Sequence, residues 1–139
     1  MHGFNLMGFS LGTYVIFNCL VELEKINSER GKHGKLVHIN DVVLMGSVID
    51  KDEINKLSLK SIAGNLINCY SENDYVLKYL LRIIKPSVSP IGIQKILHDD
   101  PKVIDCDCSD IIDGHMDYRT KMDLVLHRID YNADFHLFN

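Results

Sequence analysis

Two hydrophobic periods alternate along this chain. His2 to Met7 is a short apolar run that stops at Gly8, and from Leu11 to Glu24 the apolar side chains recur at helical spacing on Leu11, Val15, Ile16, Cys19, Leu20 and Leu23. The pattern predicts a strand, a tight turn and a buried helix. Asn27 to Lys35 is polar and carries Gly31 and Gly34, which predicts a solvated loop before a second apolar run, Val37 to Met45, ending at Gly46-Ser47. Lys51 to Ser61 is polar and in part helical. Asn65 to Tyr70 reads as a third strand, closed by Ser71-Glu72-Asn73-Asp74. Helical spacing returns from Tyr75 to Ile84 and ends before Pro86, and Pro86 to Pro101 is a long connection bounded by prolines. Lys102 to Cys108 reads as a fourth strand, and a last helix is predicted from about Asp117 to Ile129 on Tyr118, Met122, Val125, Leu126 and Ile129.

Buried strands alternating with helices predict an α/β fold, a doubly wound and mostly parallel sheet whose ligand sites collect at the carboxyl ends of the strands. At 139 residues the chain has the size of one domain. It opens directly on a strand pattern, so residues 1–139 are expected to be a single domain cut from a longer protein. A composition of 46% hydrophobic and 24% charged residues is that of a folded globular chain.

A net charge of −4, with no Lys/Arg run interleaved with aromatics, argues against nucleic-acid binding. The most apolar stretch, Leu6 to Leu23, is broken by Gly8, Ser10, Gly12, Thr13 and Asn18 and has no basic residues ahead of it, so neither a membrane span nor a signal peptide is expected. Cys19, Cys69, Cys106 and Cys108 lack the paired spacing of a zinc site and read as reduced, buried or part-buried thiols of a cytosolic protein. His33 and His38 have no carboxylate or thiol cluster around them, and no metal or cofactor is assigned.

Gly8-Phe9-Ser10-Leu11-Gly12 matches G-x-S-x-G, a turn between strand and helix that lifts a serine hydroxyl above a sheet. Glycines are expected at Gly8 and Gly12 because the neighbouring backbone comes close. At average usage the five-residue pattern arises by chance in roughly one chain of this length in twenty or thirty, so its setting between a strand and a helix is what gives it weight. A serine becomes a nucleophile only when a base takes its proton and a carboxylate orients that base. In α/β-hydrolases these follow in the order Ser, Asp or Glu, His. Asp74 lies just past the third strand and His115 just past the fourth, which brings both to the sheet edge that carries Ser10.

Each candidate has a plainer reading. Asp74 also suits the N-cap of the helix that follows it, and His115 could be a helix-cap histidine. Asp110 is the second choice for the acid, ahead of Asp105, Asp107 and Asp117. His2, His38, His98, His127 and His136 stand where no base is needed. The backbone N–H of Leu11 is the expected donor to an oxyanion, and a second donor is expected from a loop that this chain does not contain.

At the elbow, at Asp41-Val42-Val43-Leu44-Met45-Gly46, at Tyr70-Ser71-Glu72-Asn73-Asp74 and at Gly114-His115-Met116-Asp117-Tyr118, the sequence resembles a eukaryotic family of α/β-hydrolases, the relatives of the transmembrane and coiled-coil domain-containing lipase-like proteins. The resemblance covers most of the chain, from Gly3 to His127. It implies the C-terminal half of an α/β-hydrolase fold with Ser10 as nucleophile, Asp74 as acid and His115 as base. It also implies a longer parent, membrane-associated through segments absent here and placed in the cytoplasm or on the cytosolic face of a membrane. Where the family tends toward Gly-Ala-Pro after the second strand, this chain has Gly46-Ser47-Val48.

The expected activity is hydrolysis of an acyl ester, with lipid as the substrate class the resemblance implies. The alternative is a non-catalytic scaffold or membrane-trafficking module that keeps the fold. Phosphate binding at the elbow helix would need basic residues near Gly8 to Gly12, and there are none. A sheet cut at a central strand would expose an unpaired edge, which predicts a homodimer.

Overall fold

A computed structural model describes residues 3–31, 34 and 36–133. His2, where the first strand was expected to begin, and His33 and His136 lie outside them. The strands are β1 (Phe4–Phe9), β2 (Ile39–Met45), β3 (Leu66–Tyr70) and β4 (Val103–Asp107). Helix α1 (Leu11–Arg30) follows β1 and α2 (Lys51–Lys56) follows β2. A π-helical turn (Val76–Leu80) runs straight into α3 (Leu81–Ile84), and α4 (Met122–Ala133) closes the described chain.

All three strand pairings are parallel and the order is β1-β2-β3-β4. This is an α/β chain with a parallel sheet. Both faces of the central strands β2 and β3 are covered, as a doubly wound sheet requires, while the edge strand β1 is largely exposed, and the strand order follows the sequence without the reversal that such sheets usually contain.

Side chains alternate across the sheet with the period of two that a strand imposes. Val42, Leu44 and Leu66 face one way and pack with Ile16 and Leu20 of α1, Ile54 of α2 and Ile91. Val43, Met45, Ile67, Cys69 and Cys106 face the other way and pack with Tyr118, Val125 and Ile129. Strand β2, buried from Asp41 to Met45, is covered on both sides, which is why it reads as an unbroken apolar run.

Four expectations need correction. Helix α1 is not a buried helix, because Ile16 and Leu20 of the predicted stripe reach the core while Leu11, Val15 and Cys19 are exposed. The polar segment from Asn27 is not a loop at its start, because α1 continues to Arg30 with those residues on its exposed side. The Asn27 side chain then fastens the return of the chain: its Nδ2 donates to the Val37 carbonyl at 2.7 Å and its Oδ1 accepts the Val37 N–H at 2.8 Å. The last helix begins at Met122, not near Asp117. Residues His115 to Arg119 form a 3₁₀ turn instead, and because side chains three apart eclipse in that geometry, His115 and Tyr118 both turn inward. Finally, Cys19 is exposed, while Cys69, Cys106 and Cys108 are buried together in the second cluster. Hydrogen bonding to Cys106 and Cys108 and burial push the Cys69 thiol up, and Cys108 is pushed up to about 12, first by its hydrogen bond with Cys106.

Candidate active site

Strand β1 ends at Phe9 and α1 starts at Leu11, so Ser10 is the whole turn between them. Its backbone sits at φ 55°, ψ −120°, a region that costs a residue with a Cβ of order 1–3 kcal/mol and persists only when its surroundings enforce it. They do. The Ser10 N–H donates to the Met45 carbonyl at 3.0 Å, and its carbonyl accepts both the N–H of Thr13 at 3.1 Å and the Thr13 hydroxyl at 2.6 Å. Behind that hydroxyl stands buried Ser47, whose Oγ donates to Thr13 Oγ1 at 3.0 Å and accepts the Ile49 N–H at 3.2 Å.

Of the two elbow glycines, Gly8 fits the expectation: a Cβ there would lie 2.7 Å from Ile16 Cδ1 and 3.1 Å from the Gly12 carbonyl. Gly12 does not. A Cβ on it would meet nothing within 4 Å, because the helix turns that position toward open space.

Ser10, Asp74 and His115 form one hydrogen-bonded chain. His115 Nε2 is 2.8 Å from Ser10 Oγ, and His115 Nδ1 is 2.6 Å from Asp74 Oδ2. Asp74 is fully buried and His115 nearly so, whereas Ser10 is half-buried. Asp74 also caps the helical segment after it, since its second oxygen, Oδ1, accepts the Leu77 N–H at 3.1 Å. Its two plausible uses are therefore shared between two atoms of one carboxylate.

Loops after β3 and β4 hold the acid and the base, and they are tied to each other. Ser71 Oγ donates to the Ile112 carbonyl at 2.7 Å, Ser109 Oγ accepts the Glu72 N–H at 3.0 Å, and Asn73 Nδ2 donates to the Ser109 carbonyl at 2.9 Å. The His115 ring lies against Phe9 with centroids 4.9 Å apart. On another side stands Gly46, at φ +53°, where a Cβ would come within 3.2 Å of His115 Cε1 and of Tyr118 Cε2. Burial drives the Tyr118 phenol well above its ordinary value, so that ring stays neutral beside the imidazole.

The rival aspartates have other partners. Asp105 accepts the N–H groups of Ile96 and Leu97 at 2.8 and 3.1 Å and fastens the long connection. Asp107 accepts from Ser109, Asp110 pairs with Arg128, whose guanidinium holds its carboxyl below the usual range, and Asp117 accepts the Asp113 N–H at 2.9 Å.

Leu11 is the first residue of α1, so its N–H is among the helical donors that lack an intrahelical acceptor and can face a developing oxyanion. Gly46, Ser47, Thr13 and Ser71 went unnoticed as site residues in the sequence. Gly46 and Ser47 left a trace there, as a strand end and as a departure from the family's Gly-Ala-Pro. The described residues contain no group of three or more His, Cys, Asp or Glu placed to hold a metal ion, and no helix long and apolar enough to cross a membrane.

A serine at a strand-to-helix turn, joined through an imidazole to a buried carboxylate, is the arrangement that activates a hydroxyl for attack on a carbonyl. The chain belongs to the family described as "Protein of unknown function (DUF726)", which matches residues 1–132. It is 33% identical over 134 residues to the rice (Oryza sativa subsp. japonica) "Transmembrane and coiled-coil domain-containing protein STS1", covering 96% of this chain and 19% of that protein. It is 32% identical over 125 residues to the "Probable lipase MIL1" of Saccharomyces cerevisiae, covering 89% of this chain and 11% of that one. An uncharacterized membrane protein of Caenorhabditis elegans is 32% identical over 127 residues, 89% of this chain and 19% of its own length. The chain thus spans a fifth or less of the length of these relatives. No solved structure matches it.

Proposed function

We propose that this chain carries the catalytic part of a serine hydrolase of the α/β-hydrolase type, acting on acyl esters, within a longer membrane-associated protein. The observation that carries the reading is the unbroken relay from Ser10 Oγ through His115 to buried Asp74, at 2.8 and 2.6 Å. The backbone of Ser10 is strained, and the half-buried side chain held in that strained turn is the one that bonds to His115 Nε2.

In this reading Ser10 Oγ attacks the ester carbonyl while His115 Nε2 takes its proton. Asp74 keeps Nδ1 protonated and stabilises the imidazolium. The Leu11 N–H receives the negative charge that develops on the carbonyl oxygen. His115 returns the proton to the departing alcohol, and water, activated by the same imidazole, releases the acyl group from Ser10. The name of the yeast relative, a probable lipase, supports lipid as the ester class. The names of the rice and nematode relatives support a membrane setting for the parent.

Labelling with a fluorophosphonate probe tests the reading. The chain is expected to label, and Ser10→Ala is expected to abolish labelling. A folded chain whose parent protein also fails to label would overturn the hydrolase reading in favour of a scaffold.

A further inference from the structure

The segment from Tyr75 to Ser89 is unlike the rest of the surface. Its helical part, residues 76–84, buries only Leu77, and α3 buries nothing. Around that one anchor Tyr79, Leu80, Ile83 and Ile84 are 56, 54, 77 and 72% exposed. Isolated exposed apolar residues need no explanation, but a contiguous patch marks a surface made to be covered. The patch continues across a cavity of about 290 Å³ to Leu11 and Tyr14 at the start of α1, beside Ser10.

Charge identifies what covers it. The protein as a whole has 19 acidic and 15 basic residues, yet residues 75–89 contain Lys78, Arg82 and Lys85 and no acid, and residues 1–21 contain no Asp, Glu, Lys or Arg. On the cavity wall stand two carboxylates, Asp50 and Glu53, and Asp50 is already engaged with the N–H groups of Ser89 and Glu53. Tyr75 and Tyr79 stack with centroids 5.9 Å apart, and the Lys78 ammonium lies 6.0 Å from the Tyr75 ring. A second copy docked symmetrically would set this basic patch against itself. Apolar side chains, tyrosines and cations on one short segment without an acid of its own are what an anionic bilayer surface accepts: the aliphatic groups enter the acyl boundary, the tyrosines sit at headgroup level and the cations meet phosphate.

We propose that the Tyr75–Lys85 segment, with Leu11 and Tyr14, is a docking face for an anionic lipid membrane, which sets the opening beside Ser10 against the bilayer. It stands independently of the hydrolase reading, since binding needs no turnover.

Flotation of the 139-residue chain with vesicles of phosphatidylcholine alone, or mixed in equal parts with phosphatidylserine, tests it. Binding is expected to the mixed vesicles and to weaken as salt is raised. Each cation at such a surface is worth about fivefold in partition, so K78Q/R82Q/K85Q should lower binding by on the order of a hundredfold. I83N/I84N, exposed and therefore tolerated by the fold, should lower it at least about tenfold. No binding to the mixed vesicles, or binding unchanged in both variants, would overturn the proposal. So would a dimer in sedimentation that I83N/I84N dissociates while vesicle binding is nil. A chain that floats but does not label separates this proposal from the hydrolase reading.

Discussion

The turn that carries Ser10 and the two loops that carry Asp74 and His115 are built in opposite ways. Ser10 is placed by its own backbone: one strained residue, a carbonyl that accepts two bonds from Thr13 three residues on, and a close glycine at Gly8. Asp74 and His115 are 41 residues apart and are placed by each other's surroundings, through Ser71, Asn73 and Ser109 and through the 3₁₀ turn that buries His115 with Tyr118. One side of the site is local geometry held under strain. The other is a network that runs from the buried Asp74–His115 and Ser71 bonds out to the part-buried and exposed bonds of Ser109, with little strain and many partners.

The sharpest test of the local side is Ser10→Gly. Without Oγ, fluorophosphonate labelling should vanish, a loss of about a million-fold if the relay acts as one unit. Glycine tolerates φ 55°, so the thermal midpoint should rise by the equivalent of about 1 kcal/mol even though the bond to His115 is lost. A fall in the midpoint would show that the turn is not strained.

On the network side, Asp74→Asn should slow labelling by about ten thousandfold, because an amide facing Nδ1 favours the wrong imidazole tautomer. Asparagine caps a helix as well as aspartate does, so the bond to Leu77 should survive and far-ultraviolet circular dichroism should be unchanged. Loss of helix signal would mean that the carboxylate matters more as a cap than as a partner of His115.

Gly46→Ala probes where the two sides meet. A Cβ at φ +53° costs about 1–2 kcal/mol and pushes at the imidazole from 3.2 Å, so the midpoint should fall and labelling should slow about a hundredfold. The elbow glycines should act on stability, and in opposite directions. Gly8→Ala should destabilise by about 1–3 kcal/mol, since α1 must move away from β1. Gly12→Ala should be neutral or stabilising by up to about 1 kcal/mol. Equal losses at both positions would contradict the open space beside Gly12.

The same contrast explains what could be read in advance. The alternation of strands and helices was legible because β2 and β3 are buried on both faces and α1 repeats apolar residues at helical spacing, although only Ile16 and Leu20 of them reach the core. The elbow was legible because its geometry is encoded in adjacent residues. Asp74 and His115 were reachable through the family resemblance and through their place after strand ends, a rule of parallel sheets and not a property of either residue. The bonding roles of Ser47, Thr13 and Ser71 were not legible, since a serine or threonine that bonds across 34 or 41 residues looks like any other until the chain is folded. The 3₁₀ turn was missed because Tyr118 and Met122 are four apart and mimic the helical stripe of α4.

The three thiols on the far face of the sheet give the molecule a clock. Cys69 and Cys108 are held protonated, and Cys69, Cys106 and Cys108 are all buried, whereas Cys19 is exposed. A thiol-specific reagent therefore finds one site quickly in the native chain, and its slow second phase times how often β3 and β4 come apart. Because the loops bearing Asp74 and His115 grow directly from those two strands, that phase also measures how long the acid and the base stay assembled between openings.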